Sequence, residues 1–444
     1  MQVFKFGGAS VNSVSAIKNM AGIVSQYLDK PLVVVVSAMG KTTNLLEKVI
    51  PGIPASEEER QRLVNESRDY HLDIAKQLFG NENNKTVAQL NKLFNELDRT
   101  TKEAPTSYNF DYDQTVSFGE IISTTLISGY LNSIGINNIW VDVRDIIRTN
   151  ENYREGIVDF ETTRRQAQEV INSKFKIDSQ HSISEKKSSQ PSAEKSKLII
   201  TQGFIAGTAK GTTTTLGREG SDYSASILSY CLDAESMTIW KDVPGFLNAD
   251  PKYFNNTIKI NKIPFNEAIE LAYYGASVIH PKTVKPIQNK GIQLNIKSFI
   301  DPHAEGSVIG PFENIEPLTP LYIFKNNQIL ISIQPRDFSF IAEDNLHTIF
   351  AVMAELNIRV NMMQNSALSF SLCIDYNKIL LEQIQQKLES NYRLCYNTGL
   401  QLITIRYYNQ GIIDSIVDGR NILLQQRSRT TAQLLVETNR ISDK

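Results

Sequence analysis

The hydrophobic positions of this chain fall into two textures. Up to about residue 300, short apolar runs alternate with segments whose apolar residues recur every three or four positions. "MQVFKFGG" reads as a short strand ended by two glycines, and "VNSVSAIKNMAGIVSQYL" follows with helical periodicity. "PLVVVVSAMG" is a nearly continuous β-branched run, the mark of a strand buried on both faces. Strand, helix and strand in close succession predict a βαβ unit and a largely parallel α/β sheet between helices. One long helical stretch is predicted over about 56–103. The strands "NIWVDV", "KLIITQGFIA" and "SMTIWKDV" then alternate with helices starting near Ser117, Ser221 and Phe265.

Residues 178–196, "DSQHSISEKKSSQPSAEKS", are almost free of apolar side chains and predict a polar surface loop inserted before a core strand. A boundary is expected around 300–325, where Pro, Gly and Asn cluster. Beyond it the pattern becomes strand "QILISIQ", helix "DNLHTIFAVMAELNI", strands "RVNMM" and "LSFSLCID", helix "ILLEQIQQKLES" and strand "YRLCY". That βαββαβ order predicts a ferredoxin-like α+β module. "LQLITIRY", the helix "IIDSIVDGRNILLQQ" and "TTAQLLVE" then start a second pass that reads as half a module. The expected division is 1–305, 320–398 and 399–444.

Charge narrows the function. Lys plus Arg is 46 and Asp plus Glu is 48. This balance disfavours a broad nucleic-acid or anionic-membrane surface. No apolar run approaches a membrane span. "MQVFKFGGAS" lacks the basic and apolar regions of a signal peptide, so the cytoplasm is the expected compartment. Cys231, Cys373 and Cys395 are scattered and odd in number, which argues against a disulfide scaffold and predicts buried apolar residues. The histidines show no ligand pair at helical spacing, so no metal bound directly by protein is expected.

Three segments carry glycine and charge where strands end. In Lys5-Phe6-Gly7-Gly8-Ala9-Ser10, glycines let backbone N–H groups approach an anion, a helix N-terminus follows, and Lys5 adds a charge. The same residues fit a tight turn with Lys5 in solvent, and the nucleotide P-loop pattern GxxxxGK[ST] is absent. Ser117-Phe118-Gly119-Glu120 opens a predicted helix; it fits a capping box or a ligand role for Glu120. In Gly217-Arg218-Glu219-Gly220-Ser221-Asp222, an arginine suits a carboxylate or phosphate and an aspartate suits a metal or cationic partner. The plainer alternative is an N-cap at Asp222 and a polar turn at the preceding threonines.

Taken together and in order, these segments resemble the aspartate kinases of the amino-acid kinase family. The matching stretches are "KFGGAS" at 5–10, "SAMGKTTNLL" at 37–46, "SFGE" at 117–120, "VDVRDIIRTN" at 141–150 and "TQGFIAG" at 201–207. They continue with "TTTLGREGSDYSA" at 213–225, "IWKDVPGFLNADPK" at 239–252, "GASVIHPKT" at 275–283 and a tail similar to ACT regulatory modules. The resemblance implies the amino-acid kinase fold and the reaction of ATP with L-aspartate to give 4-phospho-L-aspartate and ADP. That is the first step towards lysine, threonine, methionine and diaminopimelate. It implies that Lys5 stabilises the transferring phosphoryl group, that Gly7, Gly8, Ser10 and Ser221 meet the phosphates, and that Asp222 organises the lysine and the metal-bound phosphates. Arg218 would grip the α-carboxylate of aspartate and Glu120 its ammonium, with Ser37 and Thr43 lining the pocket. Lys241, Asp242, Asp250 and Lys252 would bind nucleotide, and Mg²⁺ would arrive with ATP. The tail implies a homodimer, its sheet edges paired between two chains.

Some positions depart from the family pattern. Ala9 stands where threonine is frequent and Glu219 where glycine is frequent; Glu219 is expected to pair with Arg218 or face solvent. Leu247 replaces a tyrosine that meets nucleotide, and Ser277 a phosphate lysine for which Lys252 and Lys282 are the candidate substitutes. In the tail, Asn361 and Ala367 replace an aspartate and a glutamate of lysine-sensitive relatives, so weak or absent lysine inhibition is expected. Three alternatives stay open on sequence alone: a kinase for another acceptor of the same fold, a bifunctional chain with a dehydrogenase, and an amino-acid sensor or scaffold. The second is disfavoured because no GxGxxG strand-turn-helix follows the tail.

Overall fold

A computed structural model describes residues 1–80, 84–175, 197–276, 278–337 and 339–438. The predicted loop at 178–196 and Ser277 lie outside the described residues. The chain forms two compact units. One comprises Met1–Phe246, Lys259–Ile269 and Val278–Pro317; the other comprises Leu247–Ile258, Glu270–Ser277 and Leu318–Lys444. Two short segments of the first 300 residues therefore group with the tail.

The first unit contains β1 (Gln2–Phe6), α1 (Val14–Ser25), β2 (Leu32–Val36), α2 (Thr42–Leu46), α3 (Glu57–Phe79), α4 (Lys85–Thr100), α5 (Tyr108–Ser133), β3 (Ile139–Val141), β4 (Arg148–Thr149) and α6 (Phe160–Phe175). It continues with β5 (Leu198–Gln202), β6 (Ile205–Thr208), β7 (Thr213–Thr215), α7 (Gly220–Cys231) and β8 (Ser236–Lys241). After β9 (Phe246–Leu247) and β10 (Lys259–Ile260) come β11 (Lys262–Pro264), α8 (Phe265–Tyr274), α9 (Pro281–Gln288), β12 (Gln293–Ser298) and β13 (Ser307–Gly310); the division between the units falls within β9 and within α8.

Among the described residues the main sheet runs β11-β13-β12-β8-β1-β2-β5-β3. Its ladders are parallel except β12 with β13. All five residues of β2 are buried, as its unbroken run of valines requires of a strand covered on both faces. Phe6 and Trp240 stack at 6.0 Å on adjacent strands, and Phe4 meets Trp240 edge-on at 5.6 Å. These rings join the α1, α3, α4 and α5 side chains in one core.

Three local predictions are corrected. The helical stretch over 56–103 is two helices: Ser56 caps α3 through its side chain, Gly80 ends it at φ 65°, and Asn84 caps α4. The helix expected from Ser117 starts at Tyr108. "KLIITQGFIA" is two strands, broken where Phe204 adopts φ 67°.

The second unit is built on two long strands. β14 (Leu321–Pro335) and β17 (Tyr392–Arg406) pair antiparallel almost end to end. With α10 (Glu343–Glu355), β15 (Val360–Asn365), β16 (Phe370–Asp375), α11 (Lys378–Leu388), α12 (Gln410–Val417), β18 (Ile422–Arg427) and β19 (Thr431–Glu437) they give the order β15-β16-β14-β17-β19-β18. One core gathers α10 and α11 against β14 and β16; another gathers α12 against β17 and β19. The second module is fuller than the sequence pattern indicates. Asp418 and Gly419, both at positive φ, stop the helix that was expected to run through "NILLQQ", and that stretch is strand β18. Leu321–Lys325, assigned from sequence to the first module, pairs with Leu402–Arg406 of the second. Cys231 and Cys373 are buried, whereas Cys395 is exposed, contrary to expectation. No described helix is long and apolar enough to cross a membrane.

Candidate active site

Parallel pairing brings the carboxyl ends of three strands to one edge. Phe6 lies opposite Val36 and Trp240. The residues just beyond, Gly7-Gly8, Ser37-Ala38 and Lys241, therefore share that edge, the place where open parallel sheets hold ligands. The N-terminal turn of α7 delivers Asp222 to it. Lys5 Nζ stands 2.6 Å from Asp222 Oδ1, and Lys241 Nζ stands 3.5 Å from Asp222 Oδ2. Lys5 is 8% exposed and Asp222 2%. Burial would raise the Asp222 carboxyl, but the two ammonium groups outweigh it and hold it below the ordinary carboxylate range. Lys241 also donates to the Val278 carbonyl at 2.5 Å. Two cations are thus fixed around one ionised carboxylate, an arrangement suited to a polyanion.

Gly8 is required by contact. A Cβ there would stand 2.7 Å from the Ala38 carbonyl and 3.0 Å from that of Gly40. Its own carbonyl accepts from Gly40 N–H, so the two strand-end loops close on each other. Gly119 does the same for α5: a Cβ would meet Ala38 Cβ at 3.1 Å. That close approach seats Glu120 beneath the Ala38 amide. Ser117, in the helix interior, donates to the Gln114 carbonyl, so the capping-box reading fails. Glu120 is 3% exposed, its Oε2 has no partner, and burial pushes its pKa up to about 8 against the opposing effects of the Ala38 N–H and Lys5. A buried carboxyl with an unmet oxygen is a ready receptor for an ammonium group.

Thr213–Thr215 of the threonine run form a buried strand rather than a polar turn. Thr214 Oγ1 lies 2.5 Å from Thr149 Oγ1, and Thr215 donates to Asp113 through both N–H and hydroxyl. It leads into Gly217 and Arg218. Asp222 is not the helix N-cap; that position is Glu219, at φ 53°, with no capping bond. Glu219 meets neither expectation set for it. It makes no described ion pair with Arg218, and its Oε2 is buried without a partner. Burial raises its pKa, opposed most by Lys241.

One pocket of about 540 Å³ is lined by Lys5, Gly8, Ser37, Thr43, Glu120, Arg218, Glu219, Ser221, Asp222 and Lys241, together with residues the sequence did not single out: Tyr112, Arg154 and Phe204. Arg154 and Phe204 gave no signal beyond a polar turn and a strand; their positive φ values exist only in the fold. Gly7 and Ser10 flank the lining: Gly7 opens the 3-10 turn Gly8–Val11, in which Ser10 is buried. Asp242 is exposed beyond β8. Asp250 and Lys252 belong to the second unit, where Lys252 N–H donates to Asp250 Oδ1. Lys282 lies 4.0 Å from Glu155 at the start of α9.

Residues 1–298 match the Amino acid kinase family. Lysine-sensitive aspartokinase 3 of Escherichia coli (strain K12) is 29% identical over 419 residues, spanning 91% of this chain and 86% of that one. Aspartokinase 2, chloroplastic, of Arabidopsis thaliana is 30% identical over 394 residues, 87% of this chain and 68% of that one. The crystal structure of E. coli aspartokinase III in complex with aspartate and ADP (R-state) aligns with a TM-score of 0.81 at 27% identity, covering 98% and 96% of the two chains. With its sheet, its strand-end pocket and these matches in accord, the chain belongs to the amino acid kinase family and, within it, to the aspartokinases.

Proposed function

We propose that the chain is an aspartate kinase, transferring the γ-phosphoryl group of ATP to the side-chain carboxylate of L-aspartate. The observation that carries this reading is one pocket with an ammonium–carboxylate–ammonium cluster, Lys5–Asp222–Lys241, together with Glu120 and Arg218. The attacking carboxylate, with an unperturbed pKa of about 4, is ionised at neutral pH, so no general base is needed. The work left to the protein is alignment of two anions and neutralisation of charge.

An ammonium has three donors. Lys5 keeps N–H groups for phosphoryl oxygens while Asp222 fixes its position, and Lys241 adds a second charge. Gly8 lets the loop backbone come close to phosphate; Gly7, Ser10 and Ser221 belong to the same turns. Arg218 takes the α-carboxylate, Glu120 the ammonium, and Ser37 and Thr43 bound the space between. Asp242, Asp250 and Lys252 are assigned to the nucleotide. Mg²⁺, carried by ATP, would supply charge neutralisation on the phosphates, and Asp222 would organise Lys5 and the metal-bound phosphates.

The catalytic region is assigned to 1–305, and the tail is assigned to two ACT-like modules that dimerise through sheet edges, with β15 and β18 as the edge strands. Weak lysine control is supported by Asn361, which is engaged within the fold. Its amide donates to Gln328 at 2.8 Å and Asp375 at 2.9 Å, and its oxygen accepts from Lys325 at 2.9 Å. Cytoplasmic residence accords with the free cysteines.

The test is ATP- and L-aspartate-dependent acyl phosphate formation, trapped as the hydroxamate. Turnover of L-aspartate above other carboxylate acceptors supports the reading. Aspartate binding without turnover would make the chain a sensor instead.

A further inference from the structure

Two arginines line the pocket, Arg154 and Arg218. Lys5 and Lys241 are both held by Asp222. Neither arginine makes an ion pair with a carboxylate among the described residues. The Arg154 guanidinium carbon lies 4.5 Å from the ring centroid of Tyr112, itself a lining residue, and 5.4 Å from that of Tyr108. A guanidinium over an aromatic face keeps N–H groups at its edge for an anion.

The backbone of Arg154 is held for this placement. Its N–H donates to Asp113 Oδ2 at 2.7 Å, and the same carboxylate receives Thr215 N–H at 3.0 Å and the Thr215 hydroxyl at 2.7 Å. Asp113 therefore ties the Arg154 loop to the strand that leads into Arg218. The two loops touch: a Cβ on Gly217 would meet the Arg154 carbonyl at 3.5 Å. Arg154 also adopts φ 71°, a conformation that glycine takes freely and arginine does not. Of the eight non-glycine residues at positive φ among those described, Arg154, Phe204 and Glu219 line this one pocket. Backbone strain held in place by surrounding contacts is a feature of functional sites.

We propose that Arg154 is a specificity-determining residue that, with Arg218, clamps the substrate carboxylate that is not phosphorylated. The proposal rests on the aspartate kinase reading given above. The reacting carboxylate must approach the Lys5–Asp222–Lys241 cluster. The remaining carboxylate meets the two arginines, neither of which is ion-paired among the described residues, and their planar forks match its geometry.

The experiment compares wild type, Arg154→Gly and Arg154→Lys. Glycine removes the side chain without disturbing the left-handed backbone. Hydroxamate kinetics are run with L-aspartate and with its α-methyl ester, alongside calorimetric titration of L-aspartate and thermal melting. Arg154→Gly should raise KM for aspartate about tenfold or more, as loss of a charged hydrogen bond does. Its kcat should stay within about threefold and its KM for ATP should not move. Wild-type preference for aspartate over the α-ester should collapse in Arg154→Gly and return in part in Arg154→Lys. Unchanged KM for aspartate with retained ester discrimination overturns the proposal, as does a parallel loss of ATP affinity and thermal stability. Should wild type fail to phosphorylate aspartate, the kinase reading falls and calorimetry decides Arg154 separately. Weaker aspartate binding in Arg154→Gly then upholds the carboxylate clamp, and equal binding, or none in wild type, overturns it.

Discussion

Lys5 Nζ and Asp222 Oδ1 stand 2.6 Å apart, one at the end of the first strand and the other in the first turn of α7. Both side chains are nearly buried, at 10% and 3% exposure. Asp222 would be an uncompensated charge without its lysines, and Lys5 would wander without Asp222. The pair therefore sets both the stability and the chemistry of the strand-end edge.

Lys5→Ala should lower the rate of hydroxamate formation at least about 100-fold, equivalent to about 2.7 kcal/mol of transition-state stabilisation. It should also destabilise the fold, since removal of one partner of a buried pair typically costs about 3–5 kcal/mol. Urea unfolding alongside kinetics separates the two effects. A variant that melts like wild type and turns over at the wild-type rate would remove Lys5 from the mechanism.

Glu120 predicts a pH dependence. With its pKa at about 8, the free site holds it protonated at neutral pH. It must lose that proton to accept an ammonium group. KM for aspartate should therefore fall as pH rises from 6 towards 8 and level off above. Glu120→Gln should lose the effect along with affinity. The stability sign is opposite: the unfolded chain releases this proton near the ordinary carboxyl value and the folded chain only near 8, so folding stability declines between those values. Thermal melting across pH should show Glu120→Gln more stable than wild type at pH 8 and above.

Glu219 occupies φ 53° and buries an unpartnered oxygen. Glu219→Gly removes both penalties. A left-handed non-glycine residue costs about 1–2 kcal/mol, so the unfolding free energy from urea titration should rise by a comparable amount, and the midpoint with it. A fall in the midpoint would mean that the carboxylate is held by stabilising contacts.

Asn361 predicts the response to lysine. Its amide is committed to Gln328 and Asp375 and its oxygen to Lys325. It offers no carboxylate to an effector's ammonium, a bond worth about 1.5–3 kcal/mol, so inhibition by millimolar lysine should stay below about 30%. Inhibition at sub-millimolar lysine would show a binding site built from other residues.

The sequence determined what is local. The valine run reads as a strand covered on both faces, and the order of strands and helices after residue 320 reads as a ferredoxin-like module on an antiparallel sheet. Glycine and charge marked Lys5, Arg218 and Asp222 before any coordinates, and the family resemblance added Glu120; parallel pairing brings the end of the first strand to the shared edge. Tertiary structure decided what depends on distant neighbours. Three of the four threonines, Thr213–Thr215, became strand, where Thr149 and Asp113 supply partners from elsewhere in the chain. Ser117 left the helix start because capping of a buried helix is settled by where packing ends. Arg154 entered the pocket because Asp113 and two tyrosines hold it at a backbone angle that arginine does not choose alone. Periodicity reports which face a residue turns to the core; only the assembled fold reports which other residues wait there.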